Sequence, residues 1–308
     1  MTQQPRSKKR QIDGVLLVDK PYDISSNGAL QKARWLFNAA KAGHTGVLDP
    51  LATGLLPVCL GEATKFSSYL LDADKGYRAH VRFGVVTTTG DIEGEIVRER
   101  PIVFDREQLL QVMSQFVGEI EQVPPMYSAL KHQGKPLYEY ARQGIEIKRE
   151  ARQITIHSLQ LVSLDGADAV IDVVCSKGTY IRTLAEDIGE VLGCGAHLTG
   201  LRRTATGGFS LQQAITLEAL EALTMPEREA LLMPPDVLVR HLPEIVLSEE
   251  DAGRFNHGQA VRFDEKYERM PRFRVYHQLT REFLGLGELR DHTILHPLRL
   301  LAVKDVKV

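Results

Sequence analysis

Cysteine is scarce in this chain and forms no pattern. Cys59, Cys175 and Cys194 lie far apart, and no CxxC occurs in the 308 residues. That excludes a disulfide framework and a cysteine-built zinc site. Cys59 and Cys175 stand in apolar runs and read as core residues. Long hydrophobic stretches are missing as well. No segment holds the roughly twenty apolar residues of a membrane span, and no apolar stretch of signal length follows the basic N-terminus. The expected location is the cytoplasm. An excess of basic charge is also lacking: 38 Lys and Arg stand against 40 Asp and Glu, a formal net charge of −2. Nucleic-acid binders often show a basic surplus, so the total lends that class no support. The Gly-Lys-Ser/Thr of a phosphate-binding loop is absent. There is neither an internal repeat nor a low-complexity tract.

What is present is an ordinary soluble composition, 43% hydrophobic and 25% charged, which supplies a sizeable core without cofactor or staple. The length suggests one large domain and a small one. Charge is unevenly spread. Residues 1–10 carry Arg6, Lys8, Lys9 and Arg10 and no acid. Residues 211–250 hold eight acids against Arg228 and Arg240, and residues 251–308 hold eleven Lys and Arg against eight acids. The pattern fits a single basic face or merely scattered solvated charge.

Gly14–Asp19 (GVLLVD) reads as a buried strand stopped by Lys20-Pro21. Ser25-Ser26 offers a cap for a helix running to about Asn38. Residues 43–61 carry Gly43, Gly46, Gly54 and Gly61 with Pro50 and Pro57 and fit no single element. They read as a long shaped loop ending in an apolar segment, where chemistry tends to lie. Tyr77–Val86 alternates as a half-buried strand, with Glu95–Glu99 as a return strand after the turn at 87–94. Glu107–Val117 reads as a helix. Residues 124–152 interleave Lys, Arg and His with Tyr127, Tyr138 and Tyr140, around a short helix from Pro136 to Arg142. Ile154–Leu164 and Ala169–Cys175 read as strands, residues 184–192 as an amphipathic helix, and 216–232 as an acidic helix. From about Ser248 short strands alternate with turns. Without regular βαβ alternation, the class is α+β.

One acid lies in a loop otherwise free of charge: Gly43-His44-Thr45-Gly46-Val47-Leu48-Asp49-Pro50-Leu51-Ala52-Thr53-Gly54. His44 with Asp49 is too sparse a set for a metal. On the residues alone, Asp49 can simply cap a turn before Pro50. The stretch resembles the catalytic motif of the TruB family of pseudouridine synthases, which act on tRNA. The likeness extends through GVLLVDKP (14–21), GEATKF (61–66), KGYRAHVRFG (75–84), PPMYSALKHQGKPLYEYARQG (124–144), SKGTYIRTLAEDIG (176–189) and GCGAHLTGLRR (193–203). It covers residues 12–210, with a weaker echo in FNHGQAVRF (255–263).

The resemblance implies an α+β fold: a mixed, mostly antiparallel sheet flanked by helices, with a small C-terminal β-rich, PUA-like domain. It divides the chain into a basic tail (1–11), a catalytic domain (12–247) with an RNA-clamping insert (124–152), and an RNA-binding domain (248–308). It implies isomerisation of a uridine in the T loop of tRNA after base flipping. Asp49 would be the nucleophile, splitting one hard step into easier ones. Arg182 would pair with it, Asp91 would hold the arginine, and Tyr77 would stack on the flipped base and take a proton. Lys20 lies near the site in the family. Tyr180 and Leu201 would line the uracil pocket, and His44 would fill the space the base vacates. Lys65, Lys131, Arg142 and Arg149 are the candidate phosphate contacts. A helix through 180–182 would set Tyr180 and Arg182 about 200° apart, so the helix is expected to start later. The family commonly has an acid where this chain has Thr88, which bears on a turn or RNA contact there. No cofactor, metal or membrane is implied, and the protein is expected to be monomeric. A tRNA-folding chaperone with secondary modification activity and a guide-RNA-dependent synthase subunit are the alternatives.

Overall fold

The computed structural model describes residues 8–262, 272–290 and 293–302. The first seven residues of the basic tail, with Arg6, and Phe263 of the C-terminal echo lie outside the described residues. Seven strands dominate the larger part: β1 (Gly14–Lys20), β2 (Ala52–Leu60), β3 (Lys75–Phe83), β4 (Gly118–Gln122), β5 (Arg152–Asp165), β6 (Asp168–Cys175) and β7 (Ala196–Thr206). They share one sheet in the order β1-β2-β7-β3-β6-β5-β4, with the short strand Ile215–Thr216 on the outer side of β1. Strand β2 runs parallel to β7, and the short outer strand runs parallel to its neighbour; the other pairs along this path are antiparallel. The sheet is therefore mixed and mostly antiparallel, as expected.

β1 is apolar at every step from Val15 to Val18 because both faces are covered. Val15 and Leu17 join the cluster that reaches the C-terminal sheet, while Leu16 and Val18 pack against helix α1 (Ser26–Leu36). β3 keeps its alternation: Tyr77, Ala79, Val81 and Phe83 point inward. Arg78 and Arg82 point out and bind Asp172 and Asp168 directly opposite on β6. Such cross-strand pairs help fix the register.

Two readings of the sequence need correction. The loop expected over 43–61 ends at Leu51; Ala52–Leu60 is a central strand, all but Thr53 buried. Gly54 and Pro57 disguised it. Gly54 has φ +101°, and a Cβ there would fall 2.3 Å from the Arg203 carbonyl oxygen, so glycine lets β2 and β7 approach. The acidic helix expected over 216–232 is two short ones, Leu217–Ala222 and Met225–Ala230. Thr224 starts the second with a capping box, which breaks the run.

Among the described residues the C-terminal sheet has five strands, with Glu244–Leu247 at one edge and Val261–Arg262 at the other. The Ser248 hydroxyl caps a helix, Glu249–Asn256, which the sequence pattern does not predict, and the expected short strands follow it. Phe283 of this sheet packs on Phe66, ring centroids 5.4 Å apart, and continues the cluster around Leu55 and Val15. Among the described residues no helix is long and apolar enough to cross a membrane.

Candidate active site

Asp49 sits in irregular backbone just before β2, and three anchors hold it. The Ser26 hydroxyl, on the first turn of α1, accepts from the Leu48 amide at 2.7 Å and contacts the Leu48 carbonyl at 3.0 Å. The Thr45 amide donates to the Pro57 carbonyl. The Ala52 amide donates to the Asp49 carbonyl at 3.0 Å, closing the turn at Pro50. Lys20 works from behind. Its buried ammonium donates to the carbonyls of Pro21, Ile24 and Pro50 at 2.9, 2.6 and 3.3 Å. Burial pulls its pKa down to about 8, Asp49 opposes that, and Arg203 adds to it. Three carbonyls use all three N–H donors, so Lys20 clamps the turn beside Asp49.

The Asp49 side chain is 45% exposed, whereas that of Arg182 is only 8% exposed. Arg182 Nη2 lies 3.0 Å from Asp49 Oδ2, and Nη1 lies 3.4 Å from Oδ2 of buried Asp91. The guanidinium also donates to the carbonyls of Thr89 and Tyr127 at 2.9 and 2.7 Å. Three acceptors thus aim one buried cation at a single open carboxylate. Charge-assisted bonds of this kind fix geometry as well as charge. Asp91 is itself held: Oδ1 accepts from the Thr89 hydroxyl and from the Glu93 amide. Its turn is tied to β7 by the Leu198 amide, which donates to the Gly90 carbonyl. Thr88 accepts from the Glu95 amide at 3.1 Å and helps close the same turn.

A cavity of about 190 Å³ opens beside Asp49, walled by Tyr77, Tyr180, Arg182 and Leu201. Strand order brings the parts together, since β7 lies between β2 and β3. Leu201 stands opposite Ala52 on one side and Ala79 on the other. The expected late helix start is not found: the helix runs Ile181–Val191 and includes Arg182. Tyr180 is its N-cap with extended backbone (φ −102°, ψ 109°), and that one residue allows both side chains to face the cavity. Buried Gln122 pins it, donating to the Tyr180 carbonyl at 3.1 Å and accepting from its amide at 2.8 Å. Burial pushes the Tyr77 phenol up, and the adjacent Arg203 guanidinium opposes that shift. Arg203 stands directly opposite Tyr77 across β7 and β3, almost wholly buried, with Nε donating to the Leu55 carbonyl at 2.7 Å.

The remaining expected residues are dispersed. His44 lies half-buried on the short strand Ala42–His44, outside the cavity wall. Burial, and then the charge of Arg203, lower its pKa. The Lys65 ammonium binds Glu62 and the Leu300 carbonyl, at 2.6 and 2.8 Å. Lys131 and Arg149 border a separate groove together with His132, Lys148 and Arg152. Arg142 lies over the Tyr138 ring, 5.4 Å from its centroid. Sequence reading missed Ser26 as an anchor, Gln122, and Arg203. The first looks like an ordinary helix start, and Gln122 and Arg203 are polar residues on inward strand positions, a signal visible only once strand parity is known.

Comparison with known proteins identifies the family of the chain. Residues 34–181 match the TruB family pseudouridylate synthase N-terminal domain, residues 182–242 the tRNA pseudouridylate synthase B C-terminal domain, and residues 243–301 the Pseudouridine synthase II TruB C-terminal region. The chain is 74% identical over 298 residues to tRNA pseudouridine synthase B of Chromobacterium violaceum, covering 97% of each chain. It is 54% identical to the protein of the same name from Pseudomonas aeruginosa, covering 95% of this chain and 97% of that one. Among solved structures, a chain of a Cbf5-Nop10-Gar1 complex superposes with a TM-score of 0.70 at 27% identity, covering 94% of this chain and 84% of that one. A chain of an H/ACA RNP bound to a substrate RNA containing 2′-deoxyuridine shares the fold, with a TM-score of 0.72 at 24% identity, over 95% of this chain and 86% of that one. The chain belongs to the TruB family of pseudouridylate synthases.

Proposed function

We infer that this protein isomerises uridine to pseudouridine in tRNA, and that Asp49 is the nucleophile acting on a T-loop uridine turned out of its stack. The observation that carries the reading is the open Asp49 carboxylate gripped by a buried guanidinium at the mouth of a cavity. Isomerisation breaks the bond from ribose C1′ to uracil N1, turns the ring, joins C1′ to C5, releases the C5 proton and leaves N1 to take up a proton. An oriented carboxylate can attack C1′ or C6 and leave again, dividing the change into easier steps. Arg182 holds that carboxylate in a fixed orientation. Tyr77 and Leu201 offer an apolar floor for the ring, and the Tyr77 phenol is the candidate acceptor of the C5 proton. His44, on the short strand that leads into the Asp49 loop, is read as filling the space the base vacates or supporting the disrupted RNA loop.

The basic groove at Lys131 and Arg149 suits phosphates of the RNA hairpin, and Arg142 stands close by on the same insert. The C-terminal unit is read as a further RNA-binding part. A stand-alone, monomeric, cytoplasmic enzyme is favoured over a subunit of a larger ribonucleoprotein. Identity to the tRNA-named relative is 74%, against 24% to the RNP chain. The purified protein should convert one T-loop uridine of an unmodified tRNA transcript, mapped by pseudouridine-specific chemistry, with no guide RNA added. Conversion only on addition of a second RNA would overturn the stand-alone reading.

A further inference from the structure

Large apolar side chains left in water are common when scattered. Here three of them stand on the turns around Asp49: Val47 lines the cavity, and Tyr22 and Ile92 each adjoin a residue tied to the Asp49 turn or to Arg182. Val47 is 60% exposed and lines the cavity two residues before Asp49. Ile92 is 55% exposed and directly follows Asp91, the carboxylate that holds Arg182. Tyr22 is 61% exposed on the turn clamped by Lys20, where the Asp23 amide donates to the Pro50 carbonyl at 3.0 Å. Each therefore sits within two residues of Asp49, Asp91 or a group bonded to the Asp49 turn.

The charges beside them have the wrong sign for a phosphate. Asp23 follows Tyr22 and Glu93 follows Ile92. The Asp23 amide on the Pro50 carbonyl and the Arg182 contacts to Asp49 and Asp91 bring the two turns to the same side of the site. Burial raises the pKa of Glu93, the nearby charges of Asp91, Asp49 and Asp23 raise it further, and Arg182 opposes them. Phosphates are repelled by such a rim, while the basic groove at Lys131 and Arg149 attracts them from another segment. What fits an apolar edge among carboxylates is the face and the amino edge of an unpaired base. Base–aromatic stacking is indifferent to sequence and strong enough to hold a splayed loop.

We propose that Tyr22, Val47 and Ile92 form a stacking rim for the unpaired nucleobases on either side of the extruded uridine, with Asp23 and Glu93 turning the phosphate backbone away. The proposal rests on the uridine-isomerising reading and adds the surface that keeps the disrupted loop open. It assigns Tyr22 and Ile92 to substrate contact in ground-state binding, with no part in bond making.

The test is the salt dependence of tRNA binding and turnover for the full-length protein and its Tyr22→Ala, Tyr22→Phe, Ile92→Ala and Lys131→Ala variants. Tyr22→Ala should weaken binding about tenfold, the loss of one stacked base, and Ile92→Ala by less, about threefold, the loss of an apolar contact without a π-face. Their kcat and melting temperature should be unchanged, and Tyr22→Phe should behave as wild type. The slope of log affinity against log salt should stay that of the wild type for both rim variants, since no phosphate contact is lost, while Lys131→Ala should flatten it by about 0.7 to 0.9. Unchanged affinity in both rim variants, or a flattened slope in either, overturns the stacking rim. Failure of the wild type to convert uridine at all would instead overturn the reading beneath it.

Discussion

Glu186 shows what the buried network demands of a single residue. It lies one turn beyond Arg182 on the same helix and against Gly90, where a Cβ would come within 2.8 Å of its carboxylate. Burial pushes its pKa up to about 7, Asp187 adds to the shift and Arg182 opposes it. The native state therefore holds an extra proton between the ordinary carboxylate value of 4.5 and about 7. Where the folded chain binds more protons than the unfolded one, stability falls as pH rises. The loss begins near 4.5 and is complete above about 7. Glu186→Gln removes it. The melting temperature of the variant should gain on the wild type above neutrality and not below pH 4.5; an equal difference at both ends contradicts this account. Nothing in the sequence marks Glu186, because its neighbours Asp91 and Arg182 come together with it only in the fold. Arg182 is similar. A lone arginine near a helix start carries no signal of being buried, and only the family likeness picked it out.

Individual elements were legible where local physics suffices. β1 is a short apolar run before Lys20-Pro21, and β3 alternates from Tyr77 to Phe83. Both need only a hydrophobic period and a stop. β2 was hidden, since Gly54 and Pro57 are poor strand formers. Its strand character comes from neighbours on both sides, β1 and β7. The same dependence gives a prediction. Gly54→Ala forces a methyl into the Arg203 backbone at a φ of +101°, so it should destabilise the protein by at least about 2 kcal/mol. The urea midpoint should drop accordingly, and the variant should lose turnover because β2 and β7 carry the two walls next to Asp49. A wild-type midpoint would contradict the close approach. Helix starts were harder to read. Tyr180 is extended as expected, yet the helix begins at once at Ile181, held by Gln122 from another strand. No reading of 176–189 alone contains that partner.

At the scale of the whole molecule, the two sheets meet through the Phe66–Phe283 contact and a polar clip. Lys65 donates to the Leu300 carbonyl at 2.8 Å, and Glu62 accepts from the Ala302 amide at 2.6 Å. Lys65 was selected from the sequence as a phosphate contact, but its ammonium is already engaged between two elements. Lys65→Ala should speed amide exchange in Ile294–Leu300 while leaving β7 protected, because the apolar contact still holds the units together. Unaltered exchange at Ile294–Leu300 would deny the clip its role. The overall charge, −2, also misled in the direction of no RNA partner. Its distribution matters more, since the basic groove of the insert and the acidic rim of the cavity cancel in the sum.

The central claim is that the Asp49 carboxylate attacks the nucleotide. Release of tritium from tRNA labelled at uridine C5 measures this directly, alongside binding of the same tRNA. The account predicts full release by the wild type, and release at least 10⁴-fold slower, by order of magnitude, for Asp49→Asn with binding intact. Release by Asp49→Asn at the wild-type rate would contradict it.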